Sequence, residues 1–147
     1  MRRERLLAAG VILLAVLLAC AHRVNQGRGE ALIRAYLGQH YHVQGLALTD
    51  MGPAPPAAPG MPGAEAVSGA VGVRASFVVN YHGHALPFEN QPFFLTYNRI
   101  TRDWEVNPSL TFVLEAIQNR CFMQDCSDYA DQHPDNPTFK PILRKRN

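Results

Sequence analysis

Six apolar residues in strict period two, Val71, Val73, Ala75, Phe77, Val79 and Tyr81, constrain this chain more than any other feature. They alternate with Gly72, Arg74, Ser76, Asn80 and His82, and only Val78 interrupts the polar set. Such a strand is dry on one face and wet on the other, which belongs to an antiparallel sheet packed on one side. Strands of a parallel sheet, buried on both faces, read instead as unbroken apolar runs. The dry face must be covered, so the rest of the chain has to supply amphipathic elements.

Around that strand the other elements fall into place. Residues 92–98 read as a strand with Phe93, Leu95 and Tyr97 on one face, and residues 83–91 as the loop before it. A polar turn over 98–103 and a resumed strand from Trp104 to Val106 complete a hairpin over 92–106. Upstream, residues 39–49 form a strand with Tyr41, Val43 and Ala47 on one side and His40, His42 and Gln44 on the other. Leu46 and Leu48 break its alternation. A short helix is predicted over 30–37, with Glu30 at its positive end, Ile33 and Leu37 as its stripe and Gly38 as its stop. Asn107-Pro108 predicts the start of a second helix over about 108–120, with Leu110, Val113, Leu114 and Ile117 on its apolar face. Residues 51–69 hold five of the 11 prolines, which excludes helix and central strand and predicts a long mobile loop.

The predicted class is α+β: a short N-terminal helix, an antiparallel sheet of about four strands, and a second helix. In element order, residues 30–120 resemble cystatin-like and nuclear transport factor 2-like (NTF2-like) domains. Such folds host both pocket enzymes and non-catalytic envelope modules, so the resemblance chooses between neither.

The first twenty residues address location. Arg2, Arg3 and Arg5 precede an uncharged apolar run from Leu6 to Ala19. At about 14 residues it is shorter than the ~20 a spanning helix needs, and it fits a secretory signal. It ends in Leu17-Leu18-Ala19-Cys20, which resembles the lipobox of bacterial lipoproteins, with Leu18 where a smaller residue is usual. The resemblance implies that Cys20 carries lipid, palmitate included, and becomes the new N-terminus. An uncleaved anchor helix with Cys20 as a buried thiol, or an ordinary signal cut elsewhere, are the alternatives. The implied organisation is a signal over 1–19, lipidated Cys20 and a tether to residue 29, a single domain over 30–126 and a polar, partly disordered tail over 127–147. Ala21 stands where an inner-membrane retention signal often has aspartate, so the resemblance favours the outer membrane, facing the periplasm.

Removing that signal alters the charge argument. It holds three of the 14 Lys and Arg and one of the 12 Asp and Glu, leaving 11 of each. The apparent basicity is a targeting feature, which argues against nucleic acid as a partner. The cysteines follow the same logic. With Cys20 lipidated, Cys121 and Cys126 are left as a candidate disulfide in a permissive compartment, worth on the order of 2 kcal/mol at most because the loop is short.

Catalytic motifs are missing: there is no HExxH, nucleophile elbow, phosphate-cradling glycine loop or dinucleotide fingerprint. Asp125, Asp128 and Asp131 lack the glycine and terminal glutamate of a calcium loop. Among chemistry-bearing residues the histidines stand out. If the 39–49 and 70–82 strands pair antiparallel, His40 and His42 come near His82 and His84, on the face opposite Val43 and Val79, where they could hold zinc or copper. The leading expectation is a non-enzymatic envelope lipoprotein without cofactor, a binding or assembly module whose partners are the membrane and another envelope protein. The rival is a His-based metal-binding or pocket-bearing periplasmic enzyme.

Overall fold

A computed structural model describes residues 24–55 and 69–136. Cys20 and the signal, the middle of the proline-rich segment (56–68) and the last residues (137–147) lie outside the described residues. The order is α1 (Gln26–Gly38), β1 (His42–Pro53), β2 (Val71–Tyr81), β3 (His84–Asn98), β4 (Asp103–Val106) and α2 (Val113–Gln132). The strands form one antiparallel sheet in the order β1-β2-β3-β4, and the fold is α+β. Both helices cover the same face, α1 against β1 and β4 and α2 against β3.

The core lies between that face and the helices. From β2 it takes Val73, Ala75, Phe77 and Val79, the inward set of the period-two pattern. Val71 and Tyr81 close the row at its two ends, half-buried. Phe77 stacks on Phe88 at 5.3 Å between ring centroids and meets Phe93 at 6.2 Å. Ile33 and Leu37 of α1, and Val113 and Ile117 of α2, seal the layer from above.

Four expectations are corrected. The first helix starts four residues earlier than 30, inside what reads as tether, because Asn25 caps it by accepting from the Arg28 amide at 2.9 Å. Gly27 and Gly29 disguise that first turn, each costing about 1 kcal/mol against alanine in a helix interior. Burial of Ile33 and Leu37 offsets the penalty.

β1 runs on to Pro53 and does not keep the simple alternation. Between Gln44 and Ala47 it carries one extra residue relative to β2, with Gly45 at φ 61°. The bulge reverses the parity, so Leu46 is buried and Ala47 exposed, the opposite of the sequence expectation. A second extra residue between Leu48 and Asp50 returns Met51 to the inner side opposite Val73.

β3 begins at His84, so most of the expected 83–91 loop is strand. Pro87, Pro92 and the polar Glu89-Asn90-Gln91 stretch concealed it. β4 pairs only with residues 95–98 of β3, so both prolines lie where β3 has no second neighbour to miss their N–H. The connection from β2 is a two-residue turn, His82 at φ 48° and Gly83 at φ 83°, the pair of positive φ values that a type I′ hairpin requires.

α2 is displaced and long. Asn107 does accept a backbone bond, from the Ser109 amide at 3.0 Å, but it closes a turn rather than capping a helix. Thr111, buried, then binds the Phe94 amide through its hydroxyl at 3.2 Å, and the helix starts at Val113. It runs to Gln132, absorbing the expected cysteine loop and the first part of the expected tail.

Candidate functional site

The strands' two ends differ in chemistry. At the end where β2 turns into β3, α2 overhangs the hairpin and brings acids to it. Tyr81 donates its hydroxyl to Asp125 Oδ2 at 2.8 Å. His84 Nε2 lies 3.3 Å from Asp128 Oδ2, and Gln124 donates to the other oxygen of Asp128 at 2.8 Å. The bond to Asp125 is the largest reason that the Tyr81 phenol is pushed up to about 12, with desolvation and the Asp125 charge adding to it. Cys121, beneath this layer, is pushed up by burial first and by Asp125 second. Burial, with Cys121 adding to it, raises Tyr41 as well. A thiol needs a lowered pKa to act as a nucleophile, so the Cys121 environment works against that role.

The four histidines gather at this end of the sheet, as antiparallel pairing of β1 and β2 requires, yet not on one face. His42 stands opposite Asn80 on the outer side, its Nδ1 3.5 Å from the Asn80 amide nitrogen. His84 pairs with Tyr81 and shares the inner side with Leu86 and Phe88, under α2. The expectation of one shared face is therefore corrected: the two-residue turn resets the parity between β2 and β3. His82 sits in that turn with its ring 4.3 Å from Tyr81, and the His40 ring lies 6.4 Å from that of Tyr41. Among the described residues, no three His, Cys, Asp or Glu side chains form a group able to hold a metal ion.

The expected Cys121–Cys126 bond is not formed; both thiols are free. Both residues lie on α2, five apart, which sets them about 140° apart round the axis and about 7.5 Å along it. That exceeds the ~7 Å between Cα atoms that a disulfide tolerates, so bonding would require the helix to unwind.

The opposite end is apolar and open. A groove of about 480 Å³ lies between the entry to α1, the end of β1 and the start of β2. Val24, Met51, Pro53, Ala54, Val71 and Trp104 line it. Its size falls in the range of about 300–1,000 Å³ typical of ligand sites. A smaller recess of about 250 Å³ lies near the outer side of the same end, between Asp50, Pro55, Arg74 and Phe94. Beside the groove projects the β3–β4 turn. Asn98 Oδ1 holds it by accepting from the Ile100 amide at 2.9 Å and the Thr101 amide at 3.3 Å. Ile100 at its tip is 93% exposed, between exposed Arg99 and Arg102. Asp103 at its base pairs with Arg28, tying the turn to the first turn of α1.

Sequence reasoning missed this second site. Trp104, the single tryptophan, and the Arg-Ile-Thr-Arg sequence of the turn were its visible signals. Within a hairpin they read as core and polar turn, and only the arrival of α1 beside them makes a surface. No helix among the described residues is long and apolar enough to cross a membrane. No protein-family model matches the chain, and no curated protein or solved structure matches it.

Proposed function

We propose that this chain is a cell-envelope lipoprotein of a bacterium, held to a membrane by lipid on Cys20, whose α+β domain is a non-enzymatic binding or assembly module. The observation that carries this reading is the N-terminal sequence: three arginines, a short apolar run and Leu17-Leu18-Ala19-Cys20. Val24, buried in the core of the domain, stands close behind that cysteine in the sequence, so a lipid there would hold the domain near the bilayer. The outer membrane is favoured because Ala21 follows the cysteine, by resemblance to lipoprotein sorting signals. Another envelope protein is the second partner, and the surface offered to it is the outer face of the sheet, on which no helix packs among the described residues. That face carries Val78 and Pro87 side by side and Phe94 nearer the groove end, among polar neighbours.

The polar end adds support from its chemistry. Tyr81, Asp125, His84 and Asp128 satisfy one another, and Tyr81 and Cys121 are both held towards their neutral forms. Such a cluster fastens α2 to the hairpin. The test is the variant Cys20→Ser, which should accumulate as unprocessed precursor without lipid label. Normal processing and labelling of that variant would remove the basis of the proposal.

A further inference from the structure

We infer that the groove end of the domain is a docking face for an anionic phospholipid bilayer, with Ile100 entering the interface and Arg99 and Arg102 on the headgroup phosphates. The inference rests on the anchored reading for its setting, and on three features of the fold for its content.

The first feature is where the chain enters. Three residues separate Cys20 from Val24, so over four Cα–Cα steps the Cα of Val24 stays within about 14 Å of that of an acylated Cys20. Val24 is itself part of the groove wall, so the anchor would present this end of the domain, and not the histidine end, to the membrane. The second is the β3–β4 turn. A branched aliphatic side chain 93% exposed at a loop tip has no role in the fold's own core. Exposed arginines one residue before it and two after it match the negative charge of an anionic leaflet. The Arg28–Asp103 pair and the Asn98 bonds hold the backbone of the turn in place. The third is Trp104. It forms part of the groove while packing edge-on to Tyr97 at 5.9 Å. The indole is buried, 8% exposed, so it is a fixed reporter just beneath the groove surface.

Because Trp104 is the single tryptophan, it reports on this end of the domain alone. The experiment reconstitutes the full chain in vesicles of phosphatidylethanolamine and phosphatidylglycerol whose acyl chains carry bromine near the headgroup, and follows Trp104 fluorescence. Mass spectrometry of the same preparation reads the state of Cys20. Docking predicts strong quenching in anionic vesicles and weak quenching in neutral ones. The Ile100→Ser variant should lose most of the quenching while its near-ultraviolet circular dichroism stays unchanged. Arg99→Ser and Arg102→Ser should each weaken docking about fivefold, the fold-change that about 1 kcal/mol per cation near the surface converts to. A lipidated Cys20 with an unquenched Trp104 would overturn the docking face and leave the anchor standing. Quenching that is the same in Ile100→Ser, or the same on neutral and anionic vesicles, would also overturn it. Quenching without lipid on Cys20 would remove the anchor and keep the docking face.

Discussion

At the end where β2 turns into β3, polar side chains bond one another across two strands and α2; at the opposite end, apolar residues line an open groove. Tyr81, His84, Gln124, Asp125 and Asp128 form a closed set of contacts between β2, β3 and the overhanging half of α2. Val24, Met51, Pro53 and Trp104 border an open groove, and Ile100 stands clear of it. Composition alone would have assigned the roles the other way, since histidines and aspartates are the residues of chemistry and isoleucine is the residue of cores. Satisfaction, not residue type, separates a fastening from a site. A polar group with its partner in place has little left to offer a ligand, while exposed apolar surface gains by being covered.

Both ends hang on one core, and breaking that core should abolish the distinction between them. Phe77→Ala should cost about 3–5 kcal/mol, read from denaturant midpoints, because the ring is buried between Phe88 and Phe93. A cost under 1 kcal/mol would mean the inner face of β2 is misassigned. The next largest effect separates the two halves of α2. Ile117→Ala, fully buried, should cost about 2–5 kcal/mol. Phe122→Ala, 65% exposed on the overhanging half, should stay within about 0.5 kcal/mol. Equal costs would show that the far half of α2 is packed against something.

A third change acts on the hairpin turn. Gly83→Ala places a side chain at φ 83° and should cost about 1–2 kcal/mol, which thermal unfolding would register. A variant as stable as the parent would remove the argument for a type I′ turn.

The fourth measures the polar end directly. The Tyr81 phenol should titrate near 12, and Asp125→Asn should bring it back towards the usual 10. The folded state then keeps a proton between pH 10 and 12 that the unfolded chain has lost. This contribution to stability is therefore complete below pH 10 and fades as pH rises through that window. Tyrosine absorbance difference spectra, compared between parent and variant, are the check; identical curves would mean the Tyr81–Asp125 bond does not form in solution. The smallest effect on stability belongs to the groove end. Ile100→Ser should leave the unfolding midpoint within about 0.5 kcal/mol of the parent while changing vesicle docking, so the two readouts separate fold from surface.

Much of the architecture was legible because its signals are local. The period of two in residues 71–81 marks β2 and its inner face, and Phe93, Leu95, Trp104 and Val106 repeat it in the next hairpin. Ile33 and Leu37 mark the stripe of α1, as Val113 and Ile117 mark that of α2. The misreadings have one physical source: contacts between distant residues override local pattern. Gly45 reads as neutral until β2 fixes a register that needs an extra residue there. Pro87 and Pro92 read as breakers until β4 proves too short to need their amides. Asn107-Pro108 reads as a helix start until Thr111 is required at the Phe94 amide.

The sequence by itself determined the α+β class, the inward face of β2 and of residues 93–97 in β3, the residues that seal it, and the expectation of a lipid-bearing Cys20. Those follow from side-chain period and from short contiguous motifs, which need no knowledge of the remote chain. The tertiary structure alone decided that His84 faces α2 while His42 faces outward, that Cys121 and Cys126 lie too far round one helix to bond, and that Val24, Trp104 and Ile100 meet at one end. Each depends on strand parity, helix length or the meeting of elements up to 80 residues apart, and a one-residue bulge or turn is enough to reverse it.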